Sequence, residues 1–170
     1  MQVEELMNRH VLTCRTDHPL DCAARIMWEQ DCGIVPVVDD LGRVIGVLTD
    51  RDICMAAYTQ GRRIQEIKAF SVMSKRVHTC NASDSIERAE QIMREYRLRR
   101  LPVTDAAGRL VGLLSLSDIA RHLHLIGTTA TRGLDPQGVS LTLEAVSQPH
   151  EHASGASAQR IPEGVTLETR

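Results

Sequence analysis

Apolar positions along this chain switch repeatedly between helical spacing and short continuous runs. Val3, Leu6 and Met7 fall at helical spacing and predict a helical lead-in from Val3 to Asn8. Val11-Leu12-Thr13 follows as a short β-prone step. Leu20, Ala23, Ala24, Met27 and Trp28 then share one helical face, with Asp17 as the expected cap, Pro19 near the first turn and Gly33 as the stop. Ile34 to Val38 is a compact apolar strand, Asp39 to Gly42 a turn, and Arg43 to Thr49 the returning strand of a hairpin. Thr49 or Asp50 can cap the next helix, which runs from Arg51 to about Tyr58.

The whole pattern then returns at a constant offset. Gly46-Val47-Leu48-Thr49-Asp50-Arg51-Asp52-Ile53 reappears as Gly112-Leu113-Leu114-Ser115-Leu116-Ser117-Asp118-Ile119, and Met7, Cys14, Pro36 and Asp39 match Met73, Cys80, Pro102 and Asp105 at the same spacing. This is a tandem duplication, the feature to settle before any single motif. In the second copy Thr79 is expected to end a short strand, and Ser83 to cap a helix with Ile86, Ala89, Ile92, Met93 and Tyr96 on its apolar face. Arg100 to Thr104 pairs with Leu110 to Ser115, and a helix follows from Leu116 to about Leu125. Each copy therefore reads β-α-β-β-α, a mixed α/β (α+β) fold. We assign residues 1–58 to the first repeat, 59–71 to a polar connector, 72–125 to the second repeat and 126–170 to a C-terminal extension. In that extension Thr128 to Gly133 reads as a linker and Asp135-Pro136 opens a short helix through Val146. The stretch after Ser147 is too poor in apolar side chains to be expected to order by itself.

Composition narrows the function. The 170 residues carry a net charge of −2 and only one Trp, two Tyr and one Phe. This argues against nucleic-acid binding through Arg62, Arg63, Lys68, Lys75 and Arg76, because neither a broad basic footprint nor stacking platforms are present. No apolar run approaches membrane-spanning length and no leader pattern is visible, so the expected location is cytoplasmic. Five cysteines without a Cys-x-x-Cys pair make no disulfide framework. His10, Cys14, His18 and Cys22 lie four apart, but Val11-Leu12-Thr13 and Pro19 deny them one continuous helix, so no metal site is expected. His122 and His124 point to different faces of one helix, and His150 and His152 lie in the polar tail. No nucleophile elbow or Walker-type loop is present, and Asp39, Asp40 and Asp105 suit turns, so an enzyme is not expected.

The repeated motif carries the candidate chemistry. Gly46 and Gly112, late in their strands, permit close approach by another backbone or a ligand. Thr49 and Ser115 place a hydroxyl beside a helix N-terminus, where anions are favoured. Asp52 and Asp118, one turn on, suit ribose hydroxyls because an ionised carboxylate only accepts hydrogen bonds. Ile34, Val35 and Pro36 could give a purine a flat apolar wall. Together these features describe a nucleoside-phosphate pocket; in the competing reading Thr49, Asp52, Ser115 and Asp118 only cap helices, which duplication would also copy.

Two such units, each with an apolar-Pro-Val strand and a Gly-apolar-apolar-Ser/Thr-x-x-Asp motif, resemble a pair of cystathionine-β-synthase-type (CBS) domains over about residues 3 to 124. The resemblance implies one pseudo-twofold module with two clefts between the copies, a homodimer of modules, and a regulatory adenosine ligand such as AMP, ADP, ATP, NAD(H) or S-adenosylmethionine, with no cofactor required. It implies that Asp52 and Asp118 hold ribose, and that Thr49, Ser115 and Arg51 meet ribose or phosphate. Ile34, Val35, Pro36, Arg100, Leu101 and Pro102 would line the base, and Thr13 and Thr79 would contact the ligand from the first strands. Arg51 in the first copy is Ser117 in the second, which loses a bidentate phosphate donor, so unequal sites are expected, with Arg97, Arg99 and Arg100 either as substitute charge or as a solvated basic patch. The alternative function is an interaction or dimerisation module of the same fold with empty clefts.

Overall fold

A computed structural model describes residues 1–126 and 135–148, the last four residues of the first span as backbone only. In the first repeat, helix α1 (Leu20–Glu29) leads to strands β1 (Ile34–Val38) and β2 (Val44–Thr49) and to helix α2 (Asp50–Gln60). The second gives β3 (Cys80–Asn81), α3 (Ile86–Tyr96), β4 (Arg100–Thr104), β5 (Leu110–Ser115) and α4 (Leu116–Ile126), and a further helix, α5, spans Pro136–Ser147. The hairpins are superimposable in register: Ile34 faces Thr49 and Arg100 faces Ser115, with a bulge after Val37 and after Val103. Short β3 runs parallel to β4. The expected linker at Thr128 to Gly133 and the tail beyond Gln148 lie outside the described residues.

Several local expectations give way to tertiary partners. The β-prone step before Cys14 forms no strand: Cys14 alone pairs in parallel with Val37, and a turn closed by the His18 N–H on the Arg15 carbonyl follows at once. Thr79 precedes its strand instead of ending it. Asp17 does not cap α1; Pro19 occupies the cap position, and the Leu20 N–H is satisfied by the Ile67 carbonyl at 2.9 Å. Ser85, not Ser83, caps α3, accepting from the Arg88 N–H at 3.2 Å. Gly33 does not stop α1. The left-handed residues after α1 and α3 are Asp31 (φ 46°) and its repeat partner Arg97 (φ 53°), each followed by an N–H bonded back to Met27 or Met93 in a Schellman-type closure.

The two repeats exchange their leading segments. Val3 and Met7, at the start of the chain, belong to the core of the second repeat with Ile86, Met93, Leu101 and Leu114. Ile67 and Ala69 of the connector and Met73 at the start of the second repeat belong to the core of the first with Leu20, Val35 and Leu48. Asn8 bonds Leu113 through both backbone groups, and Ser74 does the same with Val47. This exchange explains the repeated glycine. A Cβ on Gly46 would lie 2.5 Å from Met73 Sδ, and one on Gly112 would lie 2.6 Å from Met7 Sδ and 3.0 Å from the Asn8 carbonyl oxygen. The close approach is made by the other repeat's methionine. The hairpin tips also meet across the pseudo-twofold, with Val44 N–H on Gly108 O and Leu110 N–H on Gly42 O.

Helix α5 adds to the second repeat. Asp135 caps it, Val146 enters the second core, and Arg94 of α3 donates to the Thr142 hydroxyl at 2.9 Å and to the Gly138 carbonyl. Glu90 is buried beneath it, 3% exposed, and burial raises its carboxyl pKa against the pull of Arg94. On α1 the expected face largely holds, yet Trp28 is 88% exposed.

Two predictions follow from these contacts. Gly46→Ala should lower stability in urea by about 1–3 kcal/mol through overpacking, and Met73→Ala should relieve most of that cost in the double variant. The corresponding pair Gly112→Ala and Met7→Ala should show less relief, because the Asn8 carbonyl is backbone and cannot withdraw as a side chain can. The second concerns acid. Asp39 and Asp105 accept backbone N–H groups from Arg43 and Arg109, which with the guanidinium contacts lower their pKa. Their stabilisation is therefore present above the unfolded carboxylate value of about 3.9 and is lost as pH falls through the lower folded values. Asp39→Asn with Asp105→Asn should flatten the acid limb of a stability–pH curve.

Candidate functional site

The two helix starts that close the hairpins are built identically. Thr49 accepts from the Asp52 N–H at 3.2 Å, while its own N–H and hydroxyl donate to Asp52 Oδ2 at 2.8 and 2.6 Å. Ser115 and Asp118 repeat the arrangement at 3.1, 3.0 and 2.6 Å. These are reciprocal capping boxes. Each uses one carboxylate oxygen, Oδ2; Asp118 Oδ1 receives Arg121 at 3.5 Å. Capping and ligand binding are thus compatible: the cap fixes the rotamer of a carboxylate that keeps its second oxygen outside the cap.

Around the first helix start lies a cavity of about 920 Å³ between the repeats. Ile34, Thr49 and Arg51 line it from the first repeat and Arg100 from the second, which brings four of the expected residues together. Arg97 and Arg99 also reach it, so four arginines face two aspartates, Asp31 and Asp50, and the rim favours an anion. Gly33 keeps the wall thin: a Cβ there would sit 3.4 Å from the Arg100 guanidinium and 3.6 Å from Asp50 Oδ2. A smaller cavity of about 400 Å³ surrounds the second helix start, with Arg100, Ser115 and Ser117, and is bordered by Val139 and Leu143 of α5.

The remaining expected residues are placed differently. Asp52 and Asp118 reach the cavities through their bonds to Thr49 and Ser115 and do not line them. Val35 and Leu101 are fully buried in the two cores, and Pro36 and Pro102 are buried in the strands, so their side chains build the wall from behind. Thr13 and Thr79 are half-buried beside Cys14 and Cys80 and border neither cavity. Cys32, Asp50 and the α5 end, Val146 to Gln148, line the first cavity without having been marked as site residues by the sequence. Nothing local in the sequence signals that an extension after the second repeat returns to this cleft.

Cysteine environments differ sharply. Burial, reinforced by Cys22, pushes the Cys14 thiol up to about 12, and burial with Asp84 nearby does the same for Cys80. Cys54 is exposed. Cys14, His18 and Cys22 lie together, their ligand atoms all within 4.8 Å of one another. The helical row that the sequence denied them is not needed, because a strand edge, a turn and a helix start converge.

A sequence profile described as CBS domain matches residues 3–58 and 67–125. Hypoxic response protein 1 of Mycobacterium tuberculosis (strain ATCC 25618 / H37Rv) is 37% identical over 120 residues, 70% of this chain and 82% of that protein. A crystal structure of Hypoxic Response Protein I with two coordinated zinc ions aligns with a TM-score of 0.66 at 33% identity, covering 72% of this chain and 99% of that one. The CBS domain pair of protein MJ0100, in complex with 5′-methylthioadenosine and S-adenosyl-L-methionine, aligns with a TM-score of 0.64 at 25% identity, covering 76% and 98%. CBSX2 in complex with AMP aligns with a TM-score of 0.64 at 25% identity, covering 74% and 97%. No helix among the described residues is long and apolar enough to cross a membrane.

The thiol environments predict a labelling order. At pH 8 an alkylating reagent should modify Cys54 first and leave Cys14 and Cys80 unmodified in the folded chain, because only the thiolate reacts. Peptide mass mapping against time checks the order.

Proposed function

The chain belongs to the CBS-domain family, and on that footing we propose that it is a regulatory module whose first cleft binds an adenosine ligand and transmits the binding to a partner protein. One observation carries this reading: Thr49, Arg51, Ile34 and Arg100 meet around a cavity of about 920 Å³ with an excess of arginine. Such a volume falls within the usual range for small-ligand sites. The adenosine compounds bound by the CBS pair of MJ0100 and by CBSX2 support the ligand class. In the proposed pose Arg51, beside the α2 N-terminus, meets phosphate, Thr49, held by Asp52 from behind, meets ribose, and Ile34 packs on the base. The second cleft is the weaker site, since Ser117 replaces Arg51 and α5 narrows the space. The role is regulatory and not catalytic, and a cytoplasmic location suits a nucleotide ligand.

Because the cavity is lined from both repeats, a ligand that fits one inter-repeat geometry better than another shifts the module toward it. The α1–α2 face, where Trp28, Met55 and Tyr58 are exposed, is the surface we propose for homodimer formation. The α3 side carries α5 instead. A second reading, an interaction module with empty clefts, is favoured by the fact that Asp52 Oδ2 is already bonded twice within its own cap region.

Thermal unfolding of the nucleotide-free protein against AMP, ATP, NADH and S-adenosylmethionine separates the two. We expect a rise for one of them that grows with the logarithm of its concentration, about 2.7 kcal/mol at a hundredfold excess over Kd. Arg51→Ala should abolish the rise while leaving the ligand-free midpoint nearly unchanged, and the ligand should slow alkylation of Cys32. No rise with any of the four, and unaltered Cys32 labelling, would establish the empty-cleft reading.

A further inference from the structure

Cys14, His18 and Cys22 approach one another from three rigid anchors. The Cys14 backbone is bonded on both sides, its N–H to the Pro36 carbonyl and its carbonyl to the Val38 N–H. His18 sits at the end of the Arg15 turn, and its carbonyl accepts from the Ala69 N–H at 2.9 Å. Cys22 lies in the first turn of α1. The Cys14 and Cys22 sulfurs are 3.7 Å apart, and Cys22 Sγ is 3.6 Å from His18 Nδ1. Tetrahedral zinc with ordinary Zn–S and Zn–N bonds separates two sulfurs by about 3.8 Å and sulfur from nitrogen by about 3.5 Å. Both measured separations are edges of that tetrahedron.

The imidazole is also in the tautomer a metal needs. The Arg15 N–H donates to His18 Nδ1 at 3.4 Å, which puts the ring proton on Nε2, and a metal would take the Nδ1 lone pair in place of this long hydrogen bond. Beside the cluster is a cavity of about 570 Å³ walled by His18, Pro19, Asp21, Cys22 and Arg25, which leaves room for a water as fourth ligand. Two thiolates and one imidazole suit zinc better than calcium or magnesium.

We propose that Cys14, His18 and Cys22 form a zinc(II) site with water in the fourth position, separate from the nucleotide cleft. Binding releases the two thiol protons to solvent and gives a centre with no net charge, which needs no counter-ion in a part-buried place. The ion clips the turn before α1 to the edge of β1, at a helix start that has no side-chain cap of its own.

The test loads the reduced full-length protein with zinc chloride, desalts it and measures zinc per chain, with cobalt(II) substitution in parallel. One equivalent retained against a weak chelator is expected, with thiolate-to-cobalt charge-transfer absorption in the near ultraviolet. His18→Gln and Cys22→Ser, both at part-exposed positions, should each weaken zinc at least tenfold with the fold intact by circular dichroism. If Cys22→Ser does not fold, His18→Gln decides the matter. Cys54→Ser, and His150→Ala with His152→Ala, should keep the metal. The proposal is overturned by a reduced native chain that retains no zinc, by undiminished zinc in His18→Gln, or by loss of zinc in the tail-histidine variant. A Cys14–Cys22 disulfide that persists under reducing conditions would overturn it equally.

Discussion

Each repeat is completed by a methionine from the segment that leads into the other. Met73 lies on Gly46 and Met7 on Gly112, at distances that allow no side chain on either glycine. Neither core closes without this exchange, because Val3 and Met7 fill one and Ile67, Ala69 and Met73 fill the other. Backbone pairing of Asn8 with Leu113 and of Ser74 with Val47 holds the exchanged segments in register. The consequence is mechanical. Anything that changes the angle between the repeats must move a packed methionine against a backbone, and packed interiors give way in discrete steps, not continuously.

The clefts inherit their geometry from that arrangement. Glycine, hydroxyl and aspartate in the repeated motif do three different jobs within eight residues. The glycine admits the methionine, the hydroxyl caps a helix, and the aspartate completes the cap while retaining an oxygen outside it. Arginines from the loop after α3 cross to the first helix start, so the first cleft is made by both repeats. Symmetry stops at the side chains. Arg51 and Ser117 differ, and α5 packs on α3 beside the second cleft, its end reaching the first.

Cysteine chemistry follows the same division between symmetric backbone and asymmetric side chains. Cys14 and Cys80 occupy equivalent buried positions with thiols raised alike, but among the described residues only Cys14 has a second cysteine and a histidine beside it. The second repeat has Asp84 and Arg88 where His18 and Cys22 would be sought, so the cluster belongs to one copy.

Much of this was legible in the sequence because duplication prints the same physics twice. The constant offset gave both hairpins, the helix starts at Thr49 and Ser115, and the inequality of Arg51 and Ser117, since each depends on residues close together along the chain. What tertiary structure decided involved partners far apart. Ile67 satisfied the start of α1 in place of Asp17; Met7 and Met73 claimed the glycines; Val35 and Leu101 turned into cores. Cys14, His18 and Cys22 met without a shared helix. Local propensity is written in neighbouring residues, whereas the occupant of a backbone donor, a glycine gap or a ligand position depends on which distant segment arrives there, and that is settled only when the chain closes.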